Sequence, residues 1–396
     1  MSSEKPSLQK IMELGYPAYE RGHALPDYVR RAVRAILACR TFLLGGHVQA
    51  CPDGHFERVW YNSCKHRMCP QCAFLQVERW LCQWKARLLG CDHYHVIFTL
   101  PHELNDLWLA NVEALTEIFF SCVRETLFEM LGDSRHLGAR PGIIATLQTW
   151  SQTLCLHSHI HCLITGGGLS DTGQWIAVRN GFLLPSKAVM KKFRGKLSDT
   201  LQKALDQGKL TPAGAKSRQQ WKNQINRLSQ KKWDVYISER YPYGEGVLIY
   251  LARYLRGGPI SNHRLISCDE KEVTFRYEER PKEKGGKAKR ETMTLPIDQF
   301  IQRFLLHVPS PGAIRVRSWG LYAHAKAVDL ARCREQLGQP PMEAPELPNW
   351  QSYCARWGEE HPECCPVCGQ LLLCKALIPR AGAPPPSQQA GLGKAA

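Results

Sequence analysis

The stretch Leu156-His157-Ser158-His159-Ile160-His161-Cys162-Leu163-Ile164 places three histidines at every second position of a largely apolar run. Successive side chains of a β-strand point to opposite faces, so His157, His159 and His161 would share one face of a sheet. Three imidazoles on one face can hold a metal ion, whereas a single histidine there would more often be a hydrogen-bonded core residue. The run therefore predicts a strand that carries a metal site.

The surrounding sequence supplies further strands and helices. Apolar residues recur at helical spacing between Glu103 and Leu131. Strand-like runs lie at His93–Leu100, Gly142–Trp150, Trp175–Leu184, Glu272–Glu279 and Glu291–Leu295. Helices and strands mixed in this order predict an α+β fold with a central antiparallel sheet flanked by helices.

Two tyrosines, Tyr250 and Tyr254, stand on a predicted helix that covers roughly residues 246–255. Four residues apart, they would lie on the same side of that helix, one turn from each other. Two half-buried aromatic residues on an amphipathic helix would give the same pattern. A phenol with a pKa near 10 is a poor nucleophile at neutral pH. A metal ion that polarises a phosphate makes its attack feasible, so together with the histidines the pair predicts a DNA-cutting site.

The charge of the chain favours a polyanionic partner. Lysine and arginine number 52 against 36 acidic residues, which gives a net charge of +16. The segment 186–232, which reads as two helices, carries thirteen of these bases and only two aspartates. Such a segment binds nucleic acid by releasing counterions, although a solvated helical face is the alternative. Its aromatic residues would either stack on single-stranded bases or pack in the core; they are Phe193, Trp221 and Trp233.

The chain has seventeen cysteines and no signal-peptide pattern, which indicates metal sites rather than disulfides. We also expect a cytoplasmic protein without membrane spans. Structural zinc needs four ligands. Five candidates lie within 22 residues: Cys51, His55, Cys64, Cys69 and Cys72. The Cys69-x-x-Cys72 pair supplies two of the four zinc ligands. Cys51, His55 and Cys64 are three candidates for the other two ligands. Cys39, by contrast, reads as a small buried hydrophobic residue.

A second group of cysteines lies near the C-terminus. It contains one Cys-Pro-x-Cys-Gly knuckle, at 365–369, but no clear second pair of ligands. The candidates are His361, Cys364, Cys365, Cys368 and Cys374. The sequence leaves open whether this group binds a second zinc ion.

Several of these residues resemble the motifs of the HUH endonuclease superfamily. His159-Ile160-His161 resembles its His-hydrophobe-His motif, Phe98-Thr99-Leu100-Pro101 its first motif, and Tyr250 with Tyr254 its two-tyrosine version. Over roughly residues 25–325 the chain is more closely similar to the rolling-circle transposases of the insertion sequence 91 group. The stretches that carry this similarity are Tyr61–Arg67 before Cys69-Pro70, His161–Leu163 leading to Gly166–Ser170, and Tyr250–Tyr254 followed by Ile260-Ser261-Asn262.

The resemblance implies an HUH-type sheet and a metal-dependent single-strand DNA endonuclease and strand transferase. His159 and His161 would hold Mg²⁺ or Mn²⁺ with His157 as the third ligand, and His95 or Gln152 are the alternatives to His157. One tyrosine would attack to give a 5′-phosphotyrosine and a free 3′-OH, and the second would serve the second cleavage. Single-stranded DNA and transposon-end DNA are the implied partners. The sequence has no Gly-x-x-x-x-Gly-Lys-[Ser/Thr] loop, so host replication or helicase proteins would separate the strands.

We expect three regions. Residues 1–90 form a helical, zinc-binding module that recognises DNA, residues 91–325 form the catalytic domain with a basic insertion at 186–232, and residues 326–396 form a cysteine-containing tail with a disordered end. A plasmid replication initiator or a relaxase with the same chemistry is an alternative, although relaxases usually place the tyrosines before the histidines. A non-catalytic zinc-dependent DNA-binding protein is the other alternative.

Overall fold

The computed structural model describes residues 5–252, 258–279, 289–352 and 363–382, without the side chains of Glu239 and Tyr250. The described helices are α1 (Leu8–Gly22), α2 (Asp27–Ala38), α3 (Phe74–Arg87), α4 (Asn105–Ala110), α5 (Val112–Gly132), α6 (Ser186–Asp206), α7 (Arg218–Gln230), α8 (Glu245–Ala252), α9 (Ile297–Leu305) and α10 (Ala327–Gln336). The described strands are β1 (Gly46–Ala50), β2 (Glu57–Tyr61), β3 (His93–Thr99), β4 (Arg140–Trp150), β5 (Leu156–Leu169), β6 (Trp175–Ala177), β7 (Val235–Tyr241), β8 (Leu265–Cys268), β9 (Glu272–Glu279), β10 (Lys289–Pro296), β11 (Val316–Gly320) and β12 (Leu373–Ile378).

The central sheet is antiparallel and has the order β11-β4-β5-β3-β7, with β6 paired to the end of β5. The histidine strand β5 lies in the middle. His161 stands opposite Ile97 of β3 and Thr146 of β4, so these three residues form one row across the sheet. The predicted α+β fold with a central antiparallel sheet and flanking helices is confirmed.

The two faces of this sheet have different coverings. One face, which carries Val96, Phe98 and Ile160, packs in a large apolar core under α5, α6 and α7. The alternate residues point to the opposite side, which we call the histidine face because His95, His159 and His161 lie on it. Ile144 and Leu163 on that face pack against α3 and α8.

A second core joins the N-terminal helices to the later part of the chain. Leu8 and Ile11 of α1 share it with Phe275 of β9 and Phe300 of α9. Helix α1 comes close to α9 at Gly15, where a Cβ atom would lie 2.7 Å from a side-chain carbon of Ile297. This core therefore crosses the predicted boundary at residue 90.

A separate three-stranded sheet has the order β12-β1-β2. Gly46 of β1 pairs with Ile378 of β12, and Ala50 pairs with Leu373. The C-terminal segment, which we expected to be a separate tail, thus adds a strand to the N-terminal module. The disordered end that we predicted falls largely on residues 383–396, which lie outside the described residues.

Two predicted elements are shorter than expected. The strand predicted over Trp175–Leu184 ends at Ala177, because Asn180 and Gly181 turn the chain with φ values of 52° and 66°. Leu183 and Leu184 then reach the large core from a loop rather than from a strand. The helix predicted over Glu103–Leu131 divides at Asn111, whose φ of −141° is not helical.

Candidate active site

The histidine face brings together side chains from two neighbouring strands. The rings of His95 and His161 lie 5.1 Å apart, and those of His159 and His161 lie 4.7 Å apart, measured between centroids. All three side chains are buried, with 8% exposure or less. Adjacent strands fix the separation of such residues through the backbone ladder, so the three imidazoles are held by the sheet itself.

Hydrogen bonds orient these rings. His161 Nε2 donates to Gln148 Oε1 at 3.0 Å, which leaves His161 Nδ1 to accept a hydrogen bond from His95 Nε2 at 2.9 Å. His159 Nδ1 donates to the carbonyl of His157 at 2.6 Å, and this places the lone pair on His159 Nε2. A histidine oriented in this way through its other nitrogen is suited to bind a metal.

The three candidates for the third metal ligand, His95, His157 and Gln152, lie at different places in the structure. His95 lies beside His161, as described above. The side chain of His157 is exposed at the start of β5, where partial desolvation lowers its pKa and the charge of Asp234 opposes the shift. Gln152 is exposed in the turn between β4 and β5. The structure therefore brings His95, rather than His157 or Gln152, next to His161.

Helix α8, on which we predicted the tyrosine pair, covers part of the histidine face. Its residues Leu248 and Leu251 pack in the same apolar cluster as Leu163 of β5. Tyr250 belongs to α8, but its side chain is not described, and Tyr254 lies outside the described residues. The backbone of the helix and the histidine strand thus meet on one side of the sheet.

His93, two residues before His95, has a structural role that we did not predict. Tyr322 Oη donates to His93 Nε2 at 2.7 Å, and His93 Nδ1 donates to the carbonyl of Cys91 at 2.9 Å. Desolvation by burial lowers the pKa of His93 to about 4, so the ring is neutral at pH 7. Gly244, with φ of 67°, immediately precedes α8, and a Cβ atom there would lie 2.7 Å from the ring of His93. Glycine at this position allows α8 to begin directly against that ring.

A basic groove lies at the edge of the same face. It has a volume of about 530 Å³, and its lining includes Arg67, Arg79, Trp80, Arg315 and Val316. Val316, one of its lining residues, pairs with Thr146, which pairs with His161, so the groove borders the row of the sheet that contains this histidine. Desolvation lowers the pKa of Arg315 to about 10, and the charge of Arg67 adds to the shift. The guanidinium groups of Arg67 and Arg315 also donate to the backbone carbonyls of Ala313 and His307, which hold them at the wall of the groove.

The basic segment 186–232 lies on the other side of the sheet. Its aromatic residues Phe193 and Trp221, and Trp233 immediately after it, are at most 3% exposed and pack in the large core. Of the two alternatives that the sequence left open for them, the structure shows core packing. Several lysines of the segment form ion pairs with acidic residues, namely Lys192 and Lys196 with Glu129, Lys222 with Asp206, and Lys231 with Glu103.

The predicted zinc ligands Cys64, Cys69 and Cys72 gather with a fourth residue, Cys39, in what we call the four-thiol cluster. The sulfur atoms of Cys64 and Cys72 are 3.6 Å apart, close to the edge of about 3.8 Å that a tetrahedron with Zn–S bonds of about 2.3 Å requires. Hydrogen bonds, first with Cys64 and then with Cys69 and Cys72, lower the pKa of the Cys39 thiol. We predicted Cys39 to be a buried hydrophobic residue, because it lies 25 residues before Cys64 and has no neighbouring ligand in the sequence.

Cys51 and His55, the other two predicted ligands, do not belong to this group. They lie with Cys365 and Cys368 in a second group, which we call the composite cluster. The five residues, four of which we expected to supply a single zinc site, are therefore divided between two groups. The reason is that Cys51 and His55 occupy the loop between β1 and β2, on the peripheral sheet. In the described part of the chain these two clusters are the sets of three or more cysteine, histidine or acidic donor atoms that lie within 4.8 Å of one another, so the nitrogen atoms of His95, His159 and His161 are spread more widely than those of either cluster.

Two protein families match separate parts of the chain. The family described as "Transposase zinc-binding domain" matches residues 11–100, which contain the whole four-thiol cluster. The family described as "Putative transposase" matches residues 142–329, which contain the histidine strand and α8. Within the described residues, each helix is too short or too polar to span a lipid bilayer.

Individual proteins give the same assignment. The chain is 35% identical over 380 residues to "Putative transposase y4qJ" of Sinorhizobium fredii, covering 93% of this chain and 94% of that protein. It is 29% identical over 246 residues to the transposase for insertion sequence element IS801 of Pseudomonas savastanoi pv. phaseolicola, covering 61% and 58%. A structure of TrwC complexed with a 27-mer DNA is similar over 41% of this chain and 73% of that chain at 15% identity, but its TM-score of 0.22 is too low to support an argument. The two transposase domains and the relative that matches nearly end to end show that the chain belongs to the transposases of the insertion sequence 91 group.

Proposed function

We propose that this transposase nicks and rejoins single-stranded DNA through 5′-phosphotyrosine intermediates, in a rolling-circle reaction. The observation that carries the proposal is the position of α8, which packs against Leu163 on the face where His95, His159 and His161 lie. A nucleophile on this helix and a metal on these histidines would be on the same side of the sheet. Transposition follows from the family, and the tyrosine chemistry is the proposal.

We propose these histidines as the site of a divalent cation, whose binding would draw their nitrogen atoms closer together than they lie in the structure. We assign His159 and His161 as ligands and His95 as the third, in place of His157, because His95 Nε2 lies 2.9 Å from His161 Nδ1. An ion bound there would replace the hydrogen bond between these two nitrogens, and the proton of His95 would move to its Nδ1. Bound there, Mg²⁺ or Mn²⁺ would polarise the scissile phosphate. Imidazole nitrogen is softer than the oxygen ligands that Mg²⁺ prefers, so we expect Mn²⁺ to bind more tightly.

The proposed step exchanges one phosphate ester for another. The hydroxyl oxygen of Tyr250 or Tyr254 attacks the phosphorus, the Tyr–O–P bond forms, and the bond from phosphorus to the 3′ oxygen breaks. The 3′ oxygen takes up a proton as the phenol loses one. The other tyrosine serves the second cleavage, and a free 3′-OH later reverses the attack to rejoin a strand. Because each step conserves an ester bond, joining requires no ATP.

The basic groove supports single-stranded DNA as the partner. Its guanidinium groups, at Arg67, Arg79 and Arg315, can bind phosphates, and Trp80 can stack on a base. Val316, which lines the groove, lies in the same row of the sheet as His161. We propose that the scissile strand reaches the histidines through this groove, that the zinc-binding module recognises the transposon end, and that host helicase or replication proteins separate the strands.

The decisive experiment compares wild type with a Tyr250→Phe/Tyr254→Phe double variant on a labelled single-stranded oligonucleotide from the transposon end, with Mn²⁺. We expect nicked product and a covalent protein–DNA adduct from wild type and neither from the double variant, because phenylalanine has no nucleophilic oxygen. A Tyr277→Phe variant, on β9 in the separate sheet, is the control and should behave as wild type. If the double variant also matched wild type, the proposed chemistry would be wrong and a non-catalytic DNA-binding protein would remain.

A further inference from the structure

The composite cluster joins two parts of the chain that are far apart in sequence. Cys51 and His55 lie in the loop that follows β1, and Cys365 and Cys368 lie in the knuckle that precedes β12. Cys51 and Cys368 are 317 residues apart. Because β1 and β12 are antiparallel neighbours, with Ala50 opposite Leu373, the end of one and the start of the other lie at the same end of the sheet. The four donors therefore meet there.

The distances within the cluster suit a tetrahedral ion. Cys51 Sγ lies 3.5 Å from Cys368 Sγ and 3.7 Å from His55 Nδ1. These values are near the edge of about 3.8 Å expected for four ligands around zinc. A disulfide would need the sulfur atoms about 2.0 Å apart, and Cys51, Cys365 and Cys368 are all free thiols. Three thiols and an imidazole are a common ligand set for structural zinc.

The backbone on both sides is already shaped around these ligands. The amide of Val367 donates to Cys365 Sγ at 3.5 Å, and hydrogen bonds of this kind orient a thiolate that binds a metal. Gly369, with φ of 73°, closes the knuckle by donating to the carbonyl of Cys365 at 2.8 Å. On the other side, the amide of Gly54 donates to the carbonyl of Cys51 at 3.0 Å.

Apolar packing at this end of the sheet is small. The buried residues of its core are Cys51, Cys365 and Leu372, with Phe56 packed against them. The strand β12 is itself largely exposed, including Leu373 at 60% and Leu377 at 79%. A strand with so little buried surface needs another source of stability, and a metal that closes a long loop can supply it.

We propose that Cys51, His55, Cys365 and Cys368 bind a second zinc ion, which fastens residues 363–382 to the N-terminal module. This site is separate from the four-thiol cluster: the zinc-binding family match ends at residue 100 and contains only two of its four ligands. The proposal is also independent of the tyrosine chemistry. It explains why a segment at the far end of the chain completes the sheet that β1 and β2 begin.

The test is the zinc content of the purified full-length chain, measured by mass spectrometry of the metal after dialysis against metal-free buffer. We expect two zinc ions per chain in wild type and one in Cys368→Ser. The matched control is Cys374→Ser, an exposed cysteine nearby on β12 that is outside the cluster and should leave two. One zinc ion per chain in wild type, two in Cys368→Ser, or a Cys51–Cys368 disulfide in place of the metal would each overturn the proposal.

A second pair of variants covers the case in which Cys368→Ser does not fold. His55 is exposed, so its replacement leaves the small apolar core in place. We expect His55→Ala to lower the zinc content toward one ion per chain and to speed hydrogen exchange of the β12 amides, whereas His55→Cys restores both. Equal exchange and equal zinc content in these two variants would contradict the role assigned to His55.

Discussion

The histidine face and the four-thiol cluster keep their candidate metal-binding side chains in position by different physical means. His159 and His161 are two residues apart on one strand, and His95 comes from the neighbouring strand, so the hydrogen-bonded ladder fixes their separation. Cys39 follows the end of α2, and the other three thiols come from the segment between β2 and α3, which has little regular structure. A ladder is stable without an ion, whereas a loop with four converging thiols depends on one. Removing a metal ligand should therefore stop the chemistry at the histidine face, whereas at the four-thiol cluster it should unfold the surrounding structure.

The largest effect is expected at the four-thiol cluster. Cys69→Ser should release its zinc and unfold the surrounding module, because structural zinc contributes about 10–16 kcal/mol of binding free energy to folding. Zinc content and limited proteolysis of the N-terminal region are the measurements. The control is Cys155→Ser, an exposed cysteine outside both clusters. Wild-type zinc content in Cys69→Ser would show that this cluster is not a zinc site.

At the histidine face we expect loss of chemistry with the fold retained. His161→Ala should lower the rate of single-strand nicking about 1000-fold with Mn²⁺, because the scissile phosphate loses several kcal/mol of charge stabilisation. Binding of the same oligonucleotide should be unchanged, since the basic groove is intact. His157→Ala, an exposed histidine on the same strand, should nick nearly as fast as wild type. An equal loss of nicking rate in both variants would contradict the assignment of His161, rather than His157, as a metal ligand.

A smaller effect is expected where α8 meets the sheet. Gly244→Ala would place a Cβ atom 2.7 Å from the ring of His93 and force α8 to shift. A displacement of about 1 Å between a nucleophile and its substrate can cost about 100-fold in rate, so nicking should fall by up to that amount. Zinc content should not change.

Gly246→Ala is the matched control for this shift, because a Cβ atom there meets no other atom within 4 Å. Gly246 lies in α8, two residues after Gly244, and the Gly246→Ala variant should nick DNA as fast as wild type. If Gly244→Ala and Gly246→Ala had the same rate, the contact with His93 would not be what positions α8.

The alternation of histidines could be read from the sequence because it is a local property of a strand. The period of two put His157, His159 and His161 on one side, and the structure agrees on the face. It could not show that His157, the second residue of the strand, is exposed while His161 is buried. Nor could it show that His95 stands beside His161, because the register between β3 and β5 depends on the whole sheet.

The cysteines show where local reasoning fails. Cys69 and Cys72 were identifiable because a Cys-x-x-Cys spacing lets two thiols reach one ion. Cys51 and His55 have an equally plausible spacing, but their partners are more than 300 residues away in the sequence. Cys39 has no spacing signal at all. Distances along the chain therefore identified residues that the structure brings together, but not which of them belong to the same group.

The sequence by itself determined the family, the class of fold and the strand that carries the histidines, because motifs and strand periodicity are properties of neighbouring residues. Only the tertiary structure decided which cysteines share an ion, that His95 lies next to His161, and that the basic segment 186–232 packs behind the sheet rather than at the histidine face. These are contacts between residues distant in the chain, and they are set by the pairing of strands and the burial of apolar surface over the whole molecule.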